Sequence, residues 1–310
     1  MKKFEDICMM SQREVKLYMH GYLANKKYEV INRDGFLYAK GDIPVLLVAH
    51  MDTVHDKQCV SIINHDGKLS SLEGIGGDDR CGIFIIMNII KTMKCSVLLC
   101  EDEEIGGIGA GKFTRSEYAK DVDVNYIIEF DRKGSCDAVF YSCANKEFEE
   151  FVCDNTGFKK AYGTFSDISI LAPALKIAAV NLSCGYYNAH TLSEYVMYDE
   201  MMDIVDTARM LISIESESFE YVAAPRTWEP RGYDSSLDYF SNWHDTLEED
   251  KLRRTVMNDL EIELEAIWLN YDNKEEVGWG KGNTKAEAWV DFFTSYPDIS
   301  FGMIIDYNFN

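Results

Sequence analysis

Apolar runs in this chain repeatedly end in a carboxylate or an imidazole, and that repeated junction constrains the fold more than any other feature. PVLLVA runs into His50 and Asp52, SVLLCED into Glu103 and Glu104, and NYIIEF into Asp131. Two loop junctions add to the set: GIGGDDRCG presents Asp78 and Asp79, and CGYYNAHTLSEYV presents His190. Runs that are apolar throughout, rather than alternating, belong to strands covered on both faces. In an open sheet of such strands, residues beyond the carboxyl ends meet in one crevice, however far apart they lie in sequence.

The segments between the runs carry helix and turn signals. Ser11 with Glu14 makes a capping box ahead of an amphipathic stretch containing Val15, Tyr18, Met19 and Tyr22. YEVINRDGFLYAK reads as a hairpin turning at Asp34-Gly35. Helices are expected over residues 79–93, 117–119, 146–152 and 199–214, with a further strand at KIAAVNLS. The fold class is therefore α/β: a mixed, mostly parallel central sheet flanked by helices. No internal repeat or low-complexity tract interrupts it.

Near Ala224 the character changes. APRTWEPRGYDSS reads as a linker. Beyond it, Thr246 with Glu249 caps a stretch with Leu252, Val256, Leu260 and Leu264 on one face, and Thr284 with Glu287 caps another with Trp289, Val290 and Phe293. The expected organisation is a domain over 1–224 that holds all the polar junctions, and a small acidic α+β module over 225–310.

Composition excludes several classes of partner. The net charge of −22 argues against nucleic acid, which is bound by Lys and Arg neutralising phosphates. No apolar run approaches the ~20 residues of a membrane span, and MKKFEDICMM has acidic residues where a secretory signal would be apolar. The expectation is a cytoplasmic protein with no membrane partner. Nine cysteines, an odd number, include no C-x-x-C pair, and Cys95, Cys100 and Cys184 lie in apolar runs. They are expected to be buried free thiols rather than disulfides.

The polar junctions have the chemistry of a two-metal site. A carboxylate using both oxygens can bridge two ions, and one imidazole plus one further carboxylate on each leaves room for a shared water. His50 would ligate one ion, with Asp52 two residues on orienting its imidazole. Asp78 follows two glycines at a helix start and could bridge. Adjacent residues such as Glu103 and Glu104 cannot point the same way, which suits one ligand and one proton carrier. Asp131 and His190 would complete the two spheres. Alone, each of these has an ordinary explanation, as a packed histidine or a solvated acidic turn. GIGGDDR and EIGGIGAG are weak phosphate loops because neither ends in Lys-Ser/Thr. His20, His55, His65 and His244 keep that ordinary reading; it is the combination at successive strand ends that favours a metal site.

HMDTV, GGDDRCG, EDEEIGG, EFD and AHTLSE, taken together, resemble the motif series of the co-catalytic zinc exopeptidases, the clan of peptidase T-like tripeptidases, dipeptidases, carboxypeptidases and metallo-aminopeptidases. The likeness covers about residues 11–215. It implies two Zn2+, with Co2+ or Mn2+ as in vitro substitutes. It also implies that His50, Asp78 and Asp131 hold one ion, and that Asp78, Glu104 and His190 hold the other. Glu103 would be the general base and acid, and Asp52 would steady His50. The family's bridging residue is the first Asp of its segment, which selects Asp78 over Asp79, and the bond between them is expected to be cis.

Departures from the family narrow the picture. Peptidase T-like members insert a lid and dimerisation domain between the residues corresponding to Asp131 and His190, where this chain has only 58 residues. The insertion that dodecameric aminopeptidases carry between the first His and the bridging Asp is equally absent, since His50 and Asp78 are 28 apart. The resemblance thus implies a bare catalytic domain acting on short peptides. An Asp at position 131 goes with aminopeptidases and dipeptidases, whereas carboxypeptidases and deacylases often have Glu. The expected activity is that of an aminopeptidase. The alternatives are an N-acyl amino acid amidohydrolase, or a dipeptidase or carboxypeptidase of the same clan. From another class, a zinc-stabilised binding protein without catalysis stays open, although such a protein has no need of Glu103. The apolar faces of the C-terminal module would dock on the catalytic domain or on a second copy of the chain, giving a homo-oligomer.

Overall fold

A computed structural model describes residues 1–55, 57–224, 262–269, 275–282, 295 and 304–309. The chain divides into two units, Met1–Pro230 and Arg231–Asn310.

The first unit begins with helices α1 (Lys2–Cys8) and α2 (Gln12–Asn25). At the start of α2 the Ser11 side chain accepts from the Glu14 N–H and the Glu14 carboxylate accepts from the Ser11 N–H, so the capping box is present. The hairpin forms from β1 (Val30–Arg33) and β2 (Phe36–Ala39) with Arg33 opposite Phe36, and Gly35 takes the positive φ that its turn requires. Next come β3 (Ile43–His50), the short strands β4 (Ile63–His65) and β5 (Lys68–Ser70), helix α3 (Gly77–Ile89), β6 (Cys95–Cys100), helix α4 (Ile108–Thr114) and β7 (Tyr126–Arg132). Residues 117–119 lie in a 3-10 helix, Glu117–Asp121, rather than an α-helix. The unit closes with β8 (Asp137–Val139), α5 (Lys146–Thr156), β9 (Lys159–Ala161), α6 (Asp167–Leu175), β10 (Ala179–Ser183), β11 (Tyr186–Tyr187), β12 (Tyr195–Met197) and α7 (Tyr198–Ser213).

Eight strands form one sheet in the order β1-β2-β6-β3-β7-β10-β8-β9. β6, β3, β7 and β10 are parallel neighbours at its centre, and the hairpin joins at one edge antiparallel. This is the mixed, mostly parallel sheet that the apolar runs predict. Side chains alternate across it: Leu47 and Ala49 enter one buried cluster, with residues of α1, α2, α3, α5 and α7, while Leu46 and Val48 enter another, with residues of α4 and α6. Both faces are covered, which is why these strands carry no polar alternation. A second, antiparallel sheet, β11-β12-β5-β4, stands beside the first.

All nine cysteines are free; seven are buried, Cys153 is half-buried and Cys136 is exposed. Among the described residues, no helix is long and apolar enough to cross a membrane. The second unit contains a three-stranded antiparallel sheet, with β13 (Ile262–Leu269) between β14 (Glu275–Gly282) and β15 (Ile304–Phe309). Leu264, expected on the helix after Thr246, lies in β13. That helix's other apolar positions, Leu252, Val256 and Leu260, and the stretch from Thr284 to Phe293, lie outside the described residues.

Candidate active site

The sheet centre sets the geometry. β3 ends at His50, the neighbouring β6 ends three residues before Glu103, and β7 on the other side of β3 carries Asp131. Helix α3 starts beyond the same edge with Asp78 in its first turn, and the β11–β12 loop brings His190 across. All five expected ligand residues, together with Glu103 and Asp52, therefore meet in one crevice.

Asp78 lies between the two imidazoles. Its Oδ1 is 3.1 Å from His50 Nε2 and its Oδ2 is 3.1 Å from His190 Nε2. On the His50 side, Asp131 Oδ1 is 3.5 Å from the same Nε2. On the other, Glu104 Oε1 is 3.3 Å from His190 Nε2. Asp52 Oδ1 faces the remaining ring nitrogen of His50 at 3.3 Å. The same carboxylate accepts the backbone N–H groups of Glu103 and Glu104, each at 3.0 Å, and so fixes the turn on which both glutamates stand.

The Asp78–Asp79 bond is cis. The two side chains part company there. Asp79 is wholly buried, and its oxygens accept the N–H groups of His50 (3.3 Å) and Gly82 (2.8 Å). Donor atoms within 4.8 Å of one another form three groups: His50, Asp79 and Asp131; His50, Glu103 and Glu104; and Asp78, Glu104 and His190. Asp79 is the weaker ligand candidate, because backbone donors already occupy both its oxygens whereas both oxygens of Asp78 face ring nitrogens.

Electrostatics follow from crowding acids in a buried space. Burial would raise the Asp78 pKa, but its contacts with His190 and His50 outweigh this and hold it below the usual carboxylate range. Burial and the charge of Asp78 push Asp131 up to about 7. Burial also pushes Glu103 well above its ordinary value, helped by Asp131, Asp167 and Glu104 against the pull of His50. His190, lying against Asp78 and Glu104, is raised to about 10. Carboxylates outnumber imidazoles, and cations would offset the surplus of negative charge. Glu104 Oε1 is a buried acceptor without a hydrogen bond, despite its nearness to His190. Imidazole and carboxylate donors around such an acceptor are a set that suits zinc.

The structure adds residues that the motifs did not single out. Glu129, two positions before Asp131 and so on the same strand face, is wholly buried. The Ser166 hydroxyl lies against Glu129 Oε2 and 3.2 Å from Asp131 Oδ2. Asn181, opposite Glu129 on β10, accepts the Asp131 N–H at 2.9 Å and donates to Ser166 Oγ at 3.1 Å. Tyr186 donates to the Asp131 carbonyl at 3.1 Å. Asp167, at the start of α6, is buried with neither oxygen hydrogen-bonded, and burial pushes it up to about 7. A Glu at i−2 of a strand-end acid was the one visible signal; the other partners come from distant segments. His20 lies against Asn32, and His65 is exposed. His55 is less ordinary than the sequence suggested, since its Nε2 is 2.8 Å from buried Glu194. His244 lies outside the described residues.

No protein-family model matches the chain, and no curated protein does. Solved structures do resemble it. The aminopeptidase PepT from Bacillus cereus superposes with a TM-score of 0.57 at 13% identity, covering 68% of this chain and 96% of that one. A tripeptidase from Staphylococcus aureus gives 0.55 at 13% identity over 67% and 95% of the two chains. An aminopeptidase from the archaeon Desulfurococcus kamchatkensis gives 0.53 at 12% identity over 68% and 94%. The likeness at this identity is one of fold: the first unit shares the mixed α/β architecture of these aminopeptidase and tripeptidase structures.

Proposed function

We propose that this protein is a metal-dependent exopeptidase, an aminopeptidase that removes the amino-terminal residue of short peptides with the help of two zinc ions. The observation that carries the reading is the position of Asp78, one carboxylate oxygen toward His50 and the other toward His190. His50, Asp78 and Asp131 would hold one ion, and Asp78, Glu104 and His190 the other. When bound, such ions would supply Lewis-acid polarisation of a carbonyl and a lowered pKa for bound water.

The chain's own residues supply the rest. Glu103 stands on the turn fixed by Asp52, and burial raises its affinity for a proton. It takes the proton of the attacking water and returns it to the departing amine. Asp52 holds His50 in position through Nδ1. Ser166 and Asn181 fix the Asp131 carboxylate from behind. His190 keeps about half of its side chain open to solvent, leaving an approach on its side of the crevice. Free thiols suit a reducing compartment, and we assign the reaction to the cytoplasm.

The test is metal analysis of the purified protein followed by hydrolysis of free-amine and N-blocked dipeptides and tripeptides with zinc, cobalt or manganese. Release of the first residue from free-amine peptides alone is the expected result. Turnover of N-acyl amino acids alone would make the protein an amidohydrolase. Two bound ions with no turnover of any substrate would make it a binding protein.

A further inference from the structure

Glu194 stands four residues after His190 and is fully buried. Its Oε1 accepts the N–H of Asp78 at 3.0 Å, and its Oε2 accepts the N–H of Gly76 at 3.0 Å and meets His55 Nε2 at 2.8 Å. Three donors from two separate loops thus converge on one carboxylate, and each is a backbone N–H or an imidazole rather than a proposed ligand atom. The glycines of GIGGDD make this approach feasible. A Cβ on Gly77 would stand 2.8 Å from Val196 Cγ2 and 3.3 Å from Glu194 Oε1, and one on Gly74 would collide with the His55 ring. The loop that presents Asp78 is therefore pressed between the segment carrying Glu194 and the segment carrying His55.

We infer that Glu194 and His55 form a clamp that sets the bridging position of Asp78, with Glu194 as the positioning residue and His55 as its brace; the inference rests on the two-metal reading above. Because Glu194 and His190 share one short loop, the clamp also ties the distance between Asp78 and His190 to a single rigid connection. A buried carboxylate removed from three donors leaves those donors unsatisfied, which loosens the loop without touching a ligand atom.

The experiment compares the full-length wild type with Glu194→Ala, His55→Ala and His55→Gln, after circular dichroism has confirmed folding. Zinc titration is expected to show a loss of affinity of about 10- to 100-fold for Glu194→Ala and a smaller loss for His55→Ala, with two ions still bound at saturation. His55→Gln, which keeps a donor toward Glu194, should recover most of the affinity. Hydrogen exchange on the metal-free proteins supplies the independent readout: the amides of residues 76 and 78 should lose protection in Glu194→Ala. His55→Ala carries the test should Glu194→Ala not fold. A folded variant with unchanged zinc affinity and unchanged amide protection overturns the clamp. A wild type that binds no zinc overturns the two-metal reading instead, and the exchange result then judges the clamp by itself.

Discussion

The carboxylate of Asp52 lies 3.0 Å from the backbone nitrogen of Glu103, so a residue two positions beyond the end of β3 grips the turn after β6, its neighbour in the sheet. Since Asp52 also faces His50, one side chain couples a ligand candidate to the proposed base.

Asp52→Ala should therefore damage two functions at once. Zinc affinity is expected to fall by about 10- to 100-fold, as for other partners of metal ligands, and kcat should fall even at saturating zinc because the Glu103 turn loses its acceptor. Zinc titration and steady-state kinetics on one preparation check both. Intact kcat at saturating zinc would show that the turn holds itself.

Glu103→Gln is expected to keep both ions and lose about 10²- to 10⁴-fold in kcat, the usual contribution of a positioned acid or base. Loss of zinc in this variant would mean that Glu103 and Glu104 have exchanged roles.

His50→Ala and His190→Ala should each lose one zinc while retaining the far-ultraviolet spectrum of the wild type, because the crevice lies beyond the strand ends and outside the two apolar clusters. His65→Ala, at an exposed position, should change neither. Metal analysis after dialysis distinguishes these outcomes.

Chelation should lower the thermal stability. Without cations, Asp78, Glu103, Glu104 and Asp131 repel one another in a confined space. With free zinc at about 100 times its Kd, each site adds about 2.7 kcal/mol, enough to raise Tm by several degrees. A melting curve indifferent to zinc and to chelator would contradict a two-metal site.

A chain ending at residue 224 should keep both zinc sites. All proposed ligands precede it, and the last described segment of the first unit is tied into that unit, with the Ala144 N–H on the Val222 carbonyl and the Ala224 N–H on that of Ser142. Its peptide-length preference, solubility or oligomeric state should change. Loss of zinc from the shortened but folded chain would place part of the site beyond residue 224.

Legibility in the sequence followed the range of the forces involved. The central strands were readable because burial on both faces leaves an unbroken apolar run, and the capping box because its partners are three residues apart. Helix α6 escaped because Pro173 and small residues mask its periodicity, and α4 because IGAG reads as loop. β8 and β9 are three residues long, too short for any pattern. The crevice residues announced themselves by type at strand ends. Glu194, Ser166 and Asn181 did not, because their meaning lies in partners 15 to 139 positions away.

The distribution of thiols has a practical side. Burial raises the proton affinity of Cys8, Cys81, Cys100 and Cys184, and the core shields them from reagents. Cys136 is the exposed one, and its carbonyl accepts the Lys159 N–H at 2.8 Å, which pins its backbone to β9. A maleimide dye added briefly to the native protein would attach there first. It would sit one residue before β8, the strand that pairs with β10, and so two strands along the sheet from the one that bears Asp131.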